Sequence, residues 1–405
     1  MSTDAGTCPY AHDYPFGEAE ALEFDPAYAR LRAEEPLARI RMPYGEEGWL
    51  ATRYTDVKTV LSDPRFSRAA VVGADVPRAI PEKIDRPDTI TNIDPPEHGR
   101  VRRLVASAFT ARRAEALRPR VREVADGLVD DMLAAGSPAN LVEAVAMPLP
   151  VIVICELLGV PLADRDVFRA GADAMLSTSK VPTEKRQAAM ADLQRYIGTL
   201  VADRRSRPEG PGDDVLGALV SAREEDGDRL SEAELVSLGV AILVAGHETT
   251  MNMTSDMVLT LLSERARWEA LVADPEQVPA AVEEMLRITP LGRHAGLPRI
   301  ATEDVELSGG TVHAGEAVLV STIAANRDPE VFDDPEELHL DRGSSSHVAF
   351  GFGPHHCLGA SLARMELQTA LTTLVTRVPT LDLAGEVTWR ETALVRGPAE
   401  MPVRW

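Results

Sequence analysis

The longest helical pattern in the chain runs from Ser231 to Glu264 without a proline. At 1.5 Å per residue such a helix is about 50 Å long, which is enough to cross a whole molecule of this size. Its middle, Val240 to Ala245, is apolar on every face, and this predicts a buried helix rather than a surface one. Other elements must therefore wrap around it, so the sequence predicts a mainly α fold, with short strands elsewhere forming small β-sheets.

The centre of this helix carries residues that are poorly suited to packing, in the run Ala245-Gly246-His247-Glu248-Thr249-Thr250. A glycine, an acid and two threonines weaken a helix that only has to pack. We expect a local deformation here, with side chains directed at a ligand. A capped or kinked helix without chemistry is the alternative. The spacing excludes a zinc-protease motif because Met251 stands where the second histidine would be.

A second distinctive stretch, residues 350–359, reads Phe-Gly-Phe-Gly-Pro-His-His-Cys-Leu-Gly and leads into a predicted helix from Ala360 to Val375. Glycines let backbone N–H groups approach the sulfur of Cys357, and the following helix N-terminus favours a thiolate. The alternative is a structural cysteine, the role we expect for Cys155 in its apolar run. The glycines lack the third member of a dinucleotide fingerprint, and no C-x-x-C pair indicates zinc or a redox dithiol.

Two charged motifs complete the pattern. In residues 94–102, Asp-Pro-Pro-Glu-His-Gly-Arg-Val-Arg, the spacing puts His98 and Arg102 on one helix face, where both can bind one anion. A solvated basic face is the alternative. On a short predicted helix from Pro279 to Ile288, the spacing of Glu284 and Arg287 allows an ion pair, although E-x-x-R by itself is common by chance.

Taken together, these motifs resemble those of the cytochrome P-450 superfamily, in the same order: D-P-P-E-H-x-x-x-R, A-G-x-E-T, E-x-x-R and F-x-x-G-x-x-x-C-x-G. The resemblance extends from about Pro26 to Trp405. Segments 42–46 and 155–160 resemble soluble actinobacterial biosynthetic members, particularly macrolide and polyketide hydroxylases. The resemblance implies the cytochrome P-450 fold, a triangular helical prism in which haem lies between the long helix and the cysteine loop.

The resemblance also implies roles for individual residues. Cys357 ligates the haem iron, and its thiolate pushes electron density onto the metal. Glu248 and Thr249 are catalytic, the first in proton relay and the second by hydrogen bonding to dioxygen. Glu284 and Arg287 form a structural charge pair that Arg342 completes. The cofactor-binding residues, which hold the propionates or line the haem, are His98, Arg102, Ala245, Gly246, Arg299, Phe350, His355, Cys357 and Gly359.

The substrate pocket is predicted from position along the chain relative to the family. Arg293 either contacts a polar or acidic group of the substrate or points to solvent. For Arg299, the alternative to binding a propionate is the role of an ordinary arginine at a strand edge. The predicted pocket residues are Leu291, Arg293, Ala295, Thr392 and Leu394.

The function implied is that of a haem b monooxygenase that uses O2 and two external electrons to hydroxylate or epoxidise a small apolar natural product, whether polyketide or macrolide, terpenoid or steroid-like. No flavin or nicotinamide fingerprint is visible in the chain, so electrons from NAD(P)H are expected through a ferredoxin and a ferredoxin reductase. A basic patch for that partner is predicted at Arg103, Arg112, Arg113 and Arg364, with plain surface solvation as the alternative.

Two other classes remain open at this point. One is a peroxide-driven peroxygenase or an oxygen-independent isomerase on the same scaffold, although the Glu248–Thr249 pair favours O2 activation. The other is a haem-binding or sensor protein without catalysis.

Bulk composition restricts the partners. The net charge of −22 over 405 residues argues against nucleic acid and anionic membranes. Three cysteines imply no disulfide framework, and neither a signal peptide nor an apolar run of about 18 residues is present. We therefore expect a cytoplasmic monomer with a flexible N-terminal lead, residues 1–20, and a single domain, residues 21–405.

Overall fold

The computed structural model describes residues 11–17, 22–106, 108–161, 164, 182–208, 210–212, 214–221, 230–292, 296–343, 346–390 and 395–405. Within these ranges the chain is mainly helical with small sheets, as predicted. The helices are α1 (Ala27–Glu34), α2 (Tyr54–Ser62), α3 (Glu97–Ala106), α4 (Ala111–Ala135), α5 (Pro148–Leu158), α6 (Thr183–Ser206), α7 (Val215–Ser221), α8 (Glu232–Leu262), α9 (Arg265–Ala273), α10 (Val278–Ile288), α11 (Thr322–Ala325) and α12 (Ala360–Arg377). The strands are β1 (His12–Asp13), β2 (Leu37–Arg41), β3 (Gly48–Ala51), β4 (Phe66–Ser67), β5 (Ala139–Asn140), β6 (Arg299–Ala301), β7 (Val305–Leu307), β8 (Gly310–Val312), β9 (Ala317–Val320), β10 (Asp382–Leu383), β11 (Thr388–Trp389), β12 (Pro398–Glu400) and β13 (Pro402–Arg404).

Helix α8 is the long central helix that the sequence predicted. It begins with a capping box, in which Ser231 Oγ accepts from the Glu234 N–H and the Glu234 carboxylate accepts from the Ser231 N–H. Its first half packs against α5 and α6 in one apolar core cluster, and its second half packs against α10 and α12 in another. Helix α8 thus packs in both core clusters, and these contacts fix its position.

The deformation expected at residues 245–250 does not interrupt α8, which is continuous through them. The local feature is instead a hydrogen bond in which Thr249 Oγ donates to the Ala245 carbonyl at 2.7 Å. This bond lets a threonine lie in the helix with its hydroxyl satisfied while its methyl group stays on the outer surface of the turn.

The largest sheet in the described part of the chain has the strand order β1-β2-β3-β9-β6-β4. Strands β2 and β3 form an antiparallel pair in the register Leu37 with Ala51. Strand β9 lies between β3 and β6, parallel to the first and antiparallel to the second. This arrangement holds Arg299, the first residue of β6, opposite Val318.

Part of the stretch predicted as a flexible lead is ordered against the body of the protein. His12 and Asp13 form β1, which pairs with β2, and Tyr14 is buried in a small aromatic core. Residues 1–10 and 18–20 of that lead lie outside the described residues. Among the described residues, no helix is both long enough and apolar enough to cross a bilayer.

Helix α10 holds the loop that leads to Cys357 through a buried ion pair. Glu284 accepts from Nε and Nη2 of Arg287 at 2.7 Å each, and from Nε of Arg342 at 3.0 Å. Burial is the largest influence on Glu284 and acts to raise its pKa, but the hydrogen bonds from Arg287, His339 and Arg342 together lower that pKa below its ordinary value. The remaining Arg287 donors bind backbone carbonyls of the loop, at Asn326, Pro335 and Glu337.

The neighbouring Glu283 connects the two flanks of the cysteine loop. Its carboxylate lies 3.1 Å from Nε2 of His347, before the loop, and accepts from Nε of Arg364 in α12 at 2.7 Å. Burial acts most strongly and would raise the pKa of Glu283, but the His347 and Arg364 hydrogen bonds outweigh it and lower that pKa to about 2. Two adjacent carboxylates of one short helix therefore hold the segments before and after Cys357.

We predict that Glu284→Gln destabilises the fold by about 3–5 kcal/mol, because it leaves the fully buried Arg287 guanidinium without a counter-charge. Denaturant unfolding of the purified protein measures this loss. Glu337→Gln, which changes an exposed side chain in the same region, is the matched control and should unfold like the parent. Equal midpoints for parent and Glu284→Gln would contradict the assigned role.

We also predict a specific acid sensitivity from Glu283. Because its folded pKa lies below the ordinary 4.5, its contribution is fully present above pH 4.5 and is lost as the pH falls towards 2. With allowance for solvent screening, that contribution is about 2 kcal/mol. Glu283→Gln should therefore be less stable than the parent at neutral pH, and the difference should shrink between pH 4.5 and 2. Exposed Glu303→Gln serves as the control, and a difference that stays constant with pH would refute the assignment.

Candidate functional site

Cys357 lies three residues before α12 and is held by backbone groups. Its N–H donates to the Phe350 carbonyl at 2.8 Å, and the Gly359 N–H hydrogen-bonds to its thiol. Its side chain is exposed, whereas Cys155 is buried in an apolar core cluster. Loss of hydration acts most strongly and raises the pKa of the Cys357 thiol, while the Gly359 N–H, Arg102 and Arg364 favour the thiolate. This sulfur is therefore surrounded by groups that would stabilise a metal-bound thiolate.

The turn before Cys357 requires glycine. Gly353 has φ of +72°, and a Cβ there would lie 2.7 Å from the Leu61 carbonyl oxygen. Phe350, one turn earlier, is partly buried against the larger core, with the Arg364 guanidinium 4.5 Å from its ring centroid. The loop thus packs against α2 on one side and α12 on the other. These contacts fix the direction of the Cys357 sulfur.

Two histidines predicted to bind the cofactor lie in contact. The rings of His98, in α3, and His355 have centroids 4.1 Å apart. The Nε2 atom of each is buried and has no hydrogen-bond partner in the described part of the chain. Burial is the largest influence on His355 and lowers its pKa to about 3, assisted by the charges of His98, Arg299 and Arg68.

Buried guanidinium groups surround these histidines. Arg299 donates to the Phe66 carbonyl at 3.2 Å, and burial lowers its pKa to about 10. Arg68 is 2% exposed, and burial together with the Arg299 charge lowers its pKa to about 9. Asp94 is the counter-charge for both. So much buried positive charge beside unpartnered histidine nitrogens fits the binding of an additional anion.

Arg102 connects this anion-binding cluster to the sulfur. It lies one turn after His98 on α3, and its charge and that of a Cys357 thiolate stabilise one another. A haem carries two propionates and an iron with an axial position for a thiolate. The cluster of His98, Arg102, Arg299 and His355 beside Cys357 fits that group, and Arg68 adds a cation that the sequence analysis did not include.

Helix α8 borders a cavity near Ala241. Ala241, Ala245 and Thr249 are spaced by four residues, so they share one helix face, and Ala245 is exposed although residues 242–244 are buried. A cavity of about 230 Å³ lies at the Ala241 end of this face, and Gly246 lies beside the same stretch of helix. Its lining includes Ile84, Arg86, Thr89, Met190, Ser237 and Val240.

Glu248 is buried on the neighbouring face of α8, with its side chain 2% exposed, and is ion-paired with Arg390 at 3.2 Å. Arg390 follows β11, and its Nη2 also lies 3.4 Å from the Met251 sulfur. This arginine was not found from the sequence because more than 140 residues separate it from Glu248. A charged partner holds the acid in one orientation beside Thr249.

The predicted substrate-pocket residues are only partly described. Leu291 packs against the larger core, and its carbonyl accepts from the Arg396 N–H at 2.9 Å. Arg293, Ala295, Thr392 and Leu394 lie outside the described residues. Of the predicted basic patch, Arg103, Arg112 and Arg113 are exposed, whereas Arg364 is ion-paired with Glu283 and its charge is largely neutralised.

Comparison with known proteins gives concordant results. A family model described as Cytochrome P450 matches residues 174–378. The chain is 51% identical over 396 residues to the nocardicin C N-oxygenase of Nocardia uniformis subsp. tsuyamanensis, covering 97% of this chain and 98% of that protein. It is 48% identical over 395 residues to the mycinamicin IV hydroxylase/epoxidase of Micromonospora griseorubida, with the same coverage.

Solved structures agree with the sequence comparisons. The LnmA cytochrome P450 hydroxylase from the leinamycin biosynthetic pathway of Streptomyces atroolivaceus S-140 superposes with a TM-score of 0.90 at 49% identity, covering 98% of this chain and all of that one. The mixed-function P450 MycG, crystallised as a variant in complex with mycinamicin IV, also has a TM-score of 0.90, at 48% identity. These similarities extend over the whole site described above.

We predict that His98→Leu weakens the retention of haem while leaving the apoprotein at least as stable as the parent. The variant removes one hydrogen-bond donor to a charged group, worth about 1.5–3 kcal/mol, which corresponds to about 10–100-fold faster loss of haem to an acceptor apoprotein. It also removes a buried nitrogen that has no partner among the described residues.

The matched control is His313→Leu, which changes an exposed histidine paired with Asp304 outside the site. Haem transfer and thermal unfolding of the apoprotein are both measured. Parent-like haem retention would show that His98 does not bind the cofactor, and a strongly destabilised apoprotein would indicate a structural role instead.

Proposed function

Because this chain belongs to the cytochrome P450 family of monooxygenases, we propose that Cys357 is the axial thiolate ligand of haem b and that the substrate is a small, largely apolar natural product. When bound, the haem supplies the redox chemistry, in which O2, two electrons and two protons convert R–H to R–OH and water, or an alkene to an epoxide and water. The observation that carries the assignment is the contact between His98 and His355, each with a buried unpartnered nitrogen, beside Arg299.

The residues that would hold the haem divide into two groups. His98, Arg102, Arg299 and His355 bind the propionates by charge-assisted hydrogen bonds, with Arg68 as a further cation. On the other side Phe350 covers the sulfur, and the Gly359 N–H and the N-terminus of α12 stabilise its negative charge.

Protons are delivered from the α8 side. We propose that Glu248 relays protons by taking one up and passing it on, and that Thr249 orients the water that carries them towards the haem site. The ion pair with Arg390 orients the Glu248 carboxylate, and its strength determines how readily Glu248 takes up a proton again. The Thr249 hydroxyl, which donates to the Ala245 carbonyl, keeps its lone pairs available as acceptors on the cavity side.

The cavity beside Ala241 is the proposed substrate pocket. Its lining has an apolar part that includes Ile84, Met190 and Val240, and a polar part that includes Asp85 and Arg86. Ile84 and Thr89 belong to the loop between β4 and α3. Relatives are named for nocardicin C and mycinamicin IV, so we propose a biosynthetic natural product of the polyketide or macrolide, terpenoid or steroid-like type as the substrate. Arg86 is the cation in the lining and selects for an acceptor on that substrate.

Electrons are proposed to come from NAD(P)H through a ferredoxin reductase and a ferredoxin that docks near Arg103, Arg112 and Arg113. We further propose that the protein is a cytoplasmic monomer with one domain over residues 21–405.

The test of this function is the spectrum of the reduced carbonyl complex. We predict that the parent has the red-shifted absorption band that a thiolate ligand produces, and that Cys357→Ser loses this band. Cys155→Ser is the matched control, since that buried cysteine lies in an apolar cluster. A parent protein without the band, or a Cys357→Ser variant that keeps it, would refute the proposed ligand. Substrates are then sought by screening for compounds that shift the haem spectrum.

A further inference from the structure

Three buried polar residues follow one face of α8. Glu248, Asn252 and Asp256 are each four residues apart, so they lie on successive turns of the same face. Each is at most 1% exposed. Their neighbours Met253 and Met257 belong to the larger apolar core, where a polar stripe over three turns has no packing purpose.

Two of these residues lack hydrogen-bond partners. Neither the amide atoms of Asn252 nor the carboxylate oxygens of Asp256 have a partner among the described residues. The neighbouring buried residues Thr254 and Ser255 instead donate to helix carbonyls one turn earlier. Each unpartnered group costs about 1–3 kcal/mol, so Asn252 and Asp256 are not explained by stability. Polar atoms one turn apart are a suitable binding site for bridging water.

The C-terminal segment closes over these residues. A Cβ at Gly397 would lie 2.2 Å from Asn252 Oδ1, so glycine is needed for this close approach. Arg396, the preceding residue, is 5% exposed, and its charge acts on Asp256. Burial acts more strongly than Arg396 and raises the pKa of Asp256 well above its usual value. Burial therefore favours the protonated form of Asp256, and the Arg396 charge favours its loss of the proton.

Arg396 also connects this stripe to the surface. It lines a cleft of about 70 Å³ whose wall includes the exposed residues Gly17 and Glu23, together with Asp25 and Tyr28. Arg396 thus lies between this cleft and Asp256, and Asp256, Asn252 and Glu248 follow at four-residue spacing along α8.

We propose that Asp256, Asn252 and Arg396 form a proton route from this cleft to Glu248. The proposal rests on the assignment of Glu248 to proton delivery. When Glu248 gives up its proton, the Asp256 proton passes through water held by Asn252 to the Glu248 carboxylate. Asp256 is then reprotonated from water in the cleft. Each cycle moves one proton inward and transfers no electrons. Arg396 acts on Asp256 by its charge, and Arg390 is ion-paired with Glu248.

The first experiment detects the proton itself, independently of catalysis. Infrared difference spectra of the holoenzyme, parent minus Asp256→Asn, are recorded in H2O and after rapid mixing with D2O. We expect a protonated-carboxyl band at neutral pH that is absent from Asp256→Asn and shifts promptly in D2O. A band that is missing from the parent, or that exchanges only over hours, would overturn the route, because the acid would then be ionised or sealed from solvent.

The second experiment measures proton delivery. The holoenzyme is reduced by NADPH through a ferredoxin and its reductase, and the hydrogen peroxide released is compared with the O2 consumed. For Asp256→Asn we expect an O2 turnover about tenfold slower, with a larger peroxide fraction and a larger solvent isotope effect. Asn252→Leu removes the side chain that is proposed to hold the water, so it should show the same slower turnover and larger peroxide fraction. Ser255→Ala, which alters an adjacent buried residue with a satisfied hydroxyl, should match the parent.

The outcomes separate the two assignments. If Glu248→Gln is impaired while Asp256→Asn and Asn252→Leu are parent-like, the route from the cleft is refuted and the role of Glu248 stands. If Glu248→Gln is itself parent-like, proton delivery by Glu248 fails and the route fails with it. Asp256→Leu is also expected to unfold at the same or a higher temperature than the parent, because it removes a desolvated carboxyl group. A lower unfolding temperature would assign Asp256 to stability instead.

Discussion

The pair of adjacent carboxylates on α10 determines how the rest of the site is held. Glu284 and Arg287 are almost completely buried, and such a pair persists only when every donor and acceptor is used. Here the guanidinium also binds three loop carbonyls, so the charge pair orders the loop that precedes the cysteine. Glu283 likewise pairs with His347 and Arg364, which lie on either side of Cys357. The position of one sulfur thus depends on two carboxylates some 70 residues away in sequence.

The site itself combines opposite electrostatic environments. Around His98, His355, Arg68 and Arg299 the protein concentrates buried positive charge, which is unfavourable without an anion. On the α8 side it buries the acid Glu248 and balances it with Arg390. A cofactor with two carboxylates satisfies the first environment, and the second retains an acid for proton transfer. The buried charges on both sides of the site lower the stability of the protein. They are explained by cofactor binding on one side and by chemistry on the other.

The mainly α fold predicted from the helical patterns is confirmed by the structure, and the family and the monooxygenase function implied by the motif resemblance are confirmed by the relatives. The long helical pattern from Ser231 to Glu264 and the apolar run 240–245 indicated α8 directly. The roles of individual site residues remain predictions, although the structure brings His98 and His355 together as their motifs require.

The contacts that sequence reasoning missed all join distant segments. The charge of Arg68 acts on His355 across almost 290 residues, and Arg390 is hydrogen-bonded to Glu248 across more than 140. A lone arginine in a loop has no periodicity, so no local pattern distinguishes it from a solvated one. The expected deformation at residues 245–250 was inferred from composition. It was not needed, because the Thr249 hydroxyl bonds to the preceding turn and the glycine packs closely against Ile154 without breaking the helix.

Helix α8 shows why a central helix can carry both structure and chemistry. Its apolar faces join two cores, and those contacts supply more stabilisation than any single polar residue removes. The helix can therefore accommodate Asn252 and Asp256 without hydrogen-bond partners from the described chain, at a cost that a short peripheral helix would not withstand. Because α8 is fixed along its whole length, side chains on adjacent turns keep constant separations, and that constancy is the condition for passing a proton from one turn to the next.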